Sequence, residues 1–398
     1  MLETMAGRVR GFGTSIFSEM SALALEHGAI NLSQGFPDFA APAFVKHAAI
    51  DAIREDYNQY APAPGLPEFR RAIAATYLRD YGLEADPLTE VTVTSGATEA
   101  LFSTLMALID PGDEVIVFEP AYDAYVPDII MAGGIPRFVT LHPPSITTAT
   151  GQSDALRWTF DGDQLRAAFT KRTRAIVINT PHNPTGKVFT AGELSLIAEL
   201  CRAHGVIAIT DEVYDRLVFD GAHIPIATLP GMWERTVTIN STGKTFSTTG
   251  WKIGYAIAAA PLTDAVRRAH QWVTFATSTP FQKAMAAALD HALQAGFYQE
   301  LHAFYAERRA RLIDILQSAG MSVVPPEGTF FAMADVRSWG FPDDVSFCRH
   351  LTVEVGVAAI PPSVFYAEPN SAPLMARFCF AKQLSTLDAA AERLKRQK

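Results

Sequence analysis

The stretch "EVTVTSGATEALFSTLMALIDPGDEVIVFEP", Glu90 to Pro120, holds a β-branched run, a glycine turn, an apolar helical segment and a second β-branched run that ends in Glu-Pro. Short apolar runs that alternate with helices are the pattern of parallel strands buried on both faces of an α/β sheet. The rhythm continues to about residue 260 through "IPRFVTL" (135 to 141), "AIVINTP" (175 to 181), "VIAITDEV" (206 to 213), "TVTINST" (236 to 242) and "GYAIAAA" (254 to 260), with helical stretches such as "ELSLIAELCRAHG" between them. A mostly parallel, seven-stranded sheet in one large domain is therefore predicted. Gly and Pro punctuation separates these runs from buried helix segments. Further along, "YAERRARLIDILQSAG" reads as a helix, "FFAMADV", "GVAAIP" and "MARFCFA" as short strands, and "LDAAAERLKRQK" as a last helix. These predict a smaller α+β domain. The expected division is an N-terminal arm with part of the small domain over 1–44, the large domain over 45–281 and the small domain over 282–398. "LHPPSITTATGQSDALRW" is the most loop-like segment.

Composition narrows the function. The 398 residues are 48% hydrophobic and carry a formal net charge of -9. An acidic chain whose only basic block is the tail "ERLKRQK" is not expected to bind nucleic acid or an anionic membrane. The N-terminus "MLETMAGRVRGFGTSIF" lacks the apolar core of a secretion signal, and no apolar run is long enough to span a bilayer, so a cytoplasmic location is expected. Cys201, Cys348 and Cys379 are odd in number and far apart, and the ten histidines show no metal-ligand spacing. Neither a disulfide framework nor a metal mechanism is expected.

In an open α/β sheet the ligand crevice lies at the carboxyl ends of the strands, and four suggestive groups fall there. Gly96 turns the chain into a helix whose first amides, at Ala97 and Thr98, suit an anion, although an ordinary strand-to-helix turn reads as well. Asn183 in "TPHNPTG" could aim an amide at a ligand or simply make an Asn-Pro turn. Asp211 ends "VIAIT" where the strand should still be buried, and Tyr214 follows; a helix cap is the plain alternative. Lys244 stands in "STGKTFSTTGWKIGY" (241 to 255) among small hydroxylated residues and glycines rather than among charges, which suits a bound phosphate and also suits a polar turn. An anion site, a buried carboxylate, a tyrosine and a lysine on one sheet edge match the needs of pyridoxal phosphate, which requires a lysine to bond to, an anion at its ring nitrogen and a phosphate anchor.

The combination "NTPHNPTGKVF", "ITDEVYDRLVF" and "STGKTFSTTGWKIGY" resembles the class I and II aminotransferases, fold type I pyridoxal phosphate enzymes. "INLSQGFPDF", "NQYAPAPGLPEFRRAIA", "EPAYDAY", "GVAAIP" and "RFCFAK" are similar to the branch that contains kynurenine aminotransferase, glutamine transaminase K and the bacterial methionine aminotransferases. The similarity runs from about residue 12 to the C-terminus. It implies that Lys244 is the Schiff-base lysine and proton carrier, that Asp211 pairs with the ring nitrogen, and that Tyr214 and Asn183 bond the phenolic oxygen. It further implies that Tyr122 stacks on the ring and that Ala97, Thr98, Ser241 and Lys252 hold the phosphate with Tyr60 of a second subunit. Many class I members carry arginine where Lys252 stands. The resemblance makes Arg377 the grip on the substrate carboxylate, lets the backbone at Gly35 approach the same group, and places Phe36, Tyr60, Tyr122 and Phe275 around the side chain. Cis bonds are expected at Glu119-Pro120 and Asn183-Pro184, and a homodimer is expected.

Transamination between a large neutral amino acid, sulphur-containing or aromatic, and a 2-oxo acid is the reading these aromatic residues favour. No second arginine is evident for a distal carboxylate, and Ala276 stands where some kynurenine-type enzymes place a histidine. An N-succinyldiaminopimelate aminotransferase and a cysteine-conjugate β-lyase share closely related motifs and stay open. A pyridoxal-phosphate-sensing regulator would need a DNA-binding module for which the N-terminal segment leaves no room.

Overall fold

The computed structural model describes residues 4–144 and 156–396. Its strands are β1 (Ile30–Asn31), β2 (Val91–Thr94), β3 (Glu114–Glu119), β4 (Ile135–His142), β5 (Thr159–Phe160), β6 (Thr173–Asn179), β7 (Ile207–Asp211), β8 (Thr236–Ser241), β9 (Gly254–Ala258), β10 (Ser322–Val323), β11 (Phe331–Asp335), β12 (Val357–Ala358) and β13 (Met375–Cys379).

The large sheet runs β2-β9-β8-β7-β6-β3-β4-β5. Neighbours from β8 through β4 pair in parallel, whereas β9 is antiparallel to both β2 and β8, and β5 is antiparallel to β4. All seven expected runs are strands, and the sheet gains an eighth, the two-residue β5. That strand is too short to show a period. It pairs only with Leu141 and His142; β4 is exposed at Ile135 and Arg137 and buried at Val139 and Leu141, whereas β3 and β7 are buried throughout. Beyond β4 the sheet has only this two-residue partner, so the start of β4 lies at an open edge. Most of the loop-like segment 141–158 falls outside the described residues, although Leu141 and His142 belong to β4.

Side chains of the inner strands fill two apolar clusters, one on each face: Ile116, Phe118, Ile176 and Ile178 on one side, Val115, Val117, Ile209 and Ile239 on the other. The helices that cover them show clear end signals. Ala191–His204 starts with a capping box between Thr190 and Glu193 and ends at Gly205 with φ 67°.

The second part of the fold is a three-stranded antiparallel sheet, β10-β11-β13, with the parallel pair β1-β12 beside it. The helix expected at 305–320 begins earlier, spanning Phe297–Ser318, because Gly296 (φ 69°) and not the apolar period sets its start. The last helix is Leu384–Lys395. Tyr305, Leu312, Phe330, Phe378 and Leu387 share one core with Val213, Tyr214 and Leu217, which follow β7. The carboxyl edge of the large sheet is thus packed directly against the smaller sheet. Among the described residues, no helix is long and apolar enough to cross a membrane.

Candidate active site

Three strands of the large sheet end on polar residues side by side: β6 on Asn179, β7 on Asp211 and β8 on Ser241, with Asn179 directly opposite Asp211 in register. Above them lies a cavity of about 340 Å³. Its wall holds thirteen of the residues named from sequence: Gly35, Phe36, Gly96, Ala97, Thr98, Tyr122, Asn183, Asp211, Tyr214, Ser241, Lys244, Lys252 and Arg377. Tyr60 and Phe275 are not among them. Their rings meet each other edge-on at 5.5 Å, and Tyr60 is 83% exposed, so neither reaches the cavity of its own chain.

At the floor, Asp211 is buried with few partners. Tyr125 donates its hydroxyl to Oδ2 at 2.7 Å, and the Val213 amide reaches Oδ1 at 3.3 Å. Burial therefore pushes its pKa up to about 6 despite these bonds. Asn179 Nδ2 donates to the Asp211 carbonyl at 2.8 Å, which fixes the strand end. Lys244 Nζ donates to the Gly35 carbonyl at 3.2 Å and sits over the rings of Phe330 and Tyr214 at 5.4 and 5.6 Å. Desolvation lowers its pKa to about 8, so about a tenth of it is neutral at pH 7, far more than for an ordinary lysine.

The anion end is built on two close approaches. Gly96 has φ +78°, and a Cβ there would lie 3.2 Å from Lys252 Nζ; a Cβ on Gly254 would lie 2.4 Å from the carbonyl carbon of Gly96. Glycine at both positions lets β9 bring Lys252 over the first turn of the Gly96–Leu108 helix. Lys252 itself has φ 55°, a left-handed conformation unusual for lysine, and its amine donates to Thr98 Oγ1 at 3.3 Å. The first amides of a helix have no intrahelical acceptor, so this corner combines them with an ammonium.

At the opposite end stands Arg377, on β13 opposite Met333 of β11. Its Nη1 donates to Asn183 Oδ1 at 2.9 Å and its Nη2 to the Ser33 carbonyl at 2.7 Å, while Nε is buried with no hydrogen-bond partner. The Phe331 and Phe17 rings lie 4.1 and 5.0 Å from the guanidinium carbon. Burial lowers its pKa to about 10, which leaves it charged at neutral pH. A Cβ on Gly35 would come within 2.7 Å of the Phe331 ring, so only glycine passes there. Asn183 is positioned by its own amide, which donates to Asn179 Oδ1 at 2.6 Å, and by a cis bond to Pro184. Glu119-Pro120 is cis as expected, and Thr180-Pro181 is cis in addition.

The aminotransferase class I and II family model matches residues 27–394. The chain belongs to the class I and II aminotransferases. A Mycobacterium tuberculosis relative, a probable N-succinyldiaminopimelate aminotransferase, is 46% identical over 97% of both chains. Human kynurenine–oxoglutarate transaminase 1 is 41% identical over 100% of this chain and 99% of its own. A solved Escherichia coli structure with a methionine aminotransferase function superposes with a TM-score of 0.92 at 40% identity, covering 98% of this chain and 99% of that one. The architecture is that of fold type I, and pyridoxal phosphate is the cofactor of this class.

The residues of this aminotransferase fit that cofactor. One end of the cavity offers amides and an ammonium for a phosphate, the floor offers an under-partnered carboxylate for a ring nitrogen, and a lysine amine stands between. Sequence reasoning missed Tyr125 and Asn179, both bound to Asp211. Asn179 ends "AIVIN", where a polar residue closing an apolar strand could have signalled it; Tyr125, three residues after Tyr122 in "EPAYDAY", carries no such signal. Phe331, in "FFAMADV", was read only as strand.

Proposed function

We propose that this aminotransferase moves the α-amino group of a large neutral L-amino acid, sulphur-containing or aromatic, to a 2-oxo acid. The observation that carries this reading is the character of the substrate end. Arg377 is the one guanidinium lining the cavity among the described residues; it lies against the rings of Phe17, Phe331 and Phe365, and Phe36 and Tyr122 line the same cavity. One fixed cation suits one α-carboxylate, and aromatic walls suit an uncharged side chain.

Bound pyridoxal phosphate supplies an electron sink that makes the Cα proton of an amino acid removable and stores the amino group between half-reactions. Its phosphate would be held by the amides of Ala97 and Thr98, by Ser241 and by Lys252. Asp211 would keep its ring nitrogen protonated, Tyr214 and Asn183 would bond its phenolic oxygen, and Tyr122 would cover its face. Lys244 would be its attachment point, and the freed Nζ would take and hold the proton removed from the amino-acid Cα, a task for which a pKa of about 8 is well placed. Nη1 and Nη2 of Arg377 each carry a second N–H beyond those given to Asn183 and the Ser33 carbonyl, and these would serve an incoming carboxylate.

The proposal includes a cytoplasmic homodimer, in which Tyr60 and Phe275, exposed in the single chain, complete the partner's cavity, and the division at residues 45 and 281 into large and small domains. The identity to the Mycobacterium tuberculosis relative favours a second reading, transfer from N-succinyldiaminopimelate, which needs a cation for the succinyl carboxylate. The other lining cations, Lys244 and Lys252, face the lysine and phosphate positions instead. The test is kcat/KM for methionine, phenylalanine, glutamine, kynurenine and N-succinyldiaminopimelate with a common 2-oxo acid, together with pyruvate release from a cysteine conjugate. Methionine or phenylalanine should lead by about tenfold or more, as pocket complementarity commonly gives. A lead for the succinylated donor, or pyruvate release faster than any transfer, would overturn the reading.

A further inference from the structure

A buried ion pair lies directly behind the turn that faces the phosphate position. Glu99, in the first turn of the Gly96–Leu108 helix, is 8% exposed, and His270, near the end of the Ala260–Val273 helix, is fully covered. His270 Nδ1 meets the two Glu99 oxygens at 3.0 and 3.1 Å, and its Nε2 meets the Ala63 carbonyl at 2.9 Å. The Glu99 carboxylate also accepts from the Ser95 amide at 3.0 Å and from Ser103 Oγ at 2.5 Å. Both ring nitrogens of His270 therefore face acceptors, which calls for a doubly protonated imidazolium. Burial opposes that charge, but Glu99 and the Ala63 carbonyl outweigh it and hold the pKa above the ordinary value; Arg267, on the same helix, acts against them. Arg267 is itself engaged by Thr92 Oγ1 and the carbonyls of Leu88 and Val91.

We propose that Glu99 and His270 are a positioning pair that fixes residues 95–98 and cancels a carboxylate charge at the helix end meant for phosphate. The inference rests on the reading that this turn holds the phosphate of the cofactor. A lone carboxylate in the first turn draws on the same helix field as a bound dianion and repels it. With His270 charged, Glu99 can orient the Ser95 amide without that repulsion. The imidazolium also reaches the segment that carries Tyr60. Ala63 is tied by His270, the Gln59 carbonyl accepts from Thr279 Oγ1 at 2.6 Å, and Ser95 Oγ meets Thr277 Oγ1 at 3.0 Å. The pair thus links the anion turn to the segment that carries Tyr60, and Ser95, whose amide Glu99 holds, meets the segment after Phe275 through its own hydroxyl.

The experiment compares binding of pyridoxal phosphate with binding of pyridoxal, which lacks the phosphate, to the full chain freed of cofactor. His270→Gln keeps the donor to Ala63 and removes the charge facing Glu99. Its affinity for pyridoxal phosphate should fall about tenfold while its affinity for pyridoxal stays within about twofold, the size expected for one uncompensated nearby charge. Adding Glu99→Gln to that variant removes the stranded carboxylate and should restore most of the loss, and Glu99→Gln alone should keep the preference for the phosphate. Equal losses for both ligands in His270→Gln, no loss at all, or failure of the second substitution to restore would overturn the pair's role. A wild-type chain that binds pyridoxal and pyridoxal phosphate alike would overturn the cofactor reading itself, and the inference with it.

Discussion

Glu114 opens β3 and Asp211 closes β7, so the large sheet carries a covered carboxylate at each of its two edges. They are treated in opposite ways. Glu114 receives Arg137 and Arg172, each at 2.5 Å, and Thr170 Oγ1 at 2.6 Å, and the Arg137 bond above all holds its pKa down at about 2. Asp211 receives one tyrosine hydroxyl and one long amide contact, and burial pushes it up to about 6. A carboxylate that only ties a fold together is given its counter-charges by the chain. One left short of them is ready for a cation the chain does not supply, and a protonated ring nitrogen is such a cation.

The largest effect that would sharpen this contrast is at Lys244. Lys244→Ala should still bind the cofactor yet lose about 10⁴-fold or more in turnover, the scale of removing a proton carrier and covalent anchor together. Single-turnover kinetics with methionine read it directly, and a variant that retains appreciable transfer would break the assignment. Next comes Asp211→Asn, for which kcat should fall about 10³-fold, as when a preorganised charge is removed from a dry site. Arg377→Lys should raise the donor KM about 100-fold with a smaller change in kcat, since an ammonium cannot form the paired bonds of a guanidinium.

The two carboxylates also predict opposite pH dependences for the cofactor-free protein. Asp211 is raised above its unfolded value, so its buried charge opposes folding above about pH 6, and that opposition is relieved as pH falls from 6 to 4. Glu114 is depressed, so its stabilisation is present above about pH 4.5 and is lost as pH falls toward 2. Urea unfolding of wild type and Asp211→Asn should therefore differ most at pH 7, by at most roughly 3 kcal/mol, and converge by pH 4. The smallest effect is at the structural end. Glu114→Gln should cost about 1–2 kcal/mol, because both arginines are partly solvated, and should leave kcat nearly unchanged. Loss of activity comparable to that of Asp211→Asn would erase the distinction between the two edges.

Most of the sheet was legible in the sequence because strands buried on both faces leave continuous apolar runs. The two-residue β5 was not, since two residues carry no period. The early start of the Phe297–Ser318 helix was hidden for another reason: a left-handed glycine marked it, and the apolar pattern did not. Within the site, residues on strand ends and in glycine turns were readable because their chemistry is out of place where they stand, Asp211 at the end of an apolar strand and Lys244 among small hydroxylated residues and glycines. Tyr125 was not, because an aromatic residue in a short helix looks like ordinary core until its hydroxyl is seen on Asp211. Tyr60 and Phe275, named as site residues from the resemblance, are both exposed and lie outside the cavity of this chain.

The most direct test of the Lys244–Asp211 floor is the visible absorbance of the purified protein with pyridoxal phosphate, recorded before and after methionine is added. Wild type should show the band of lysine-bound cofactor and lose it on addition of the donor, with the band returning when a 2-oxo acid follows. A wild-type spectrum that shows no bound cofactor, or a band that no amino acid changes, would contradict amino transfer at this site.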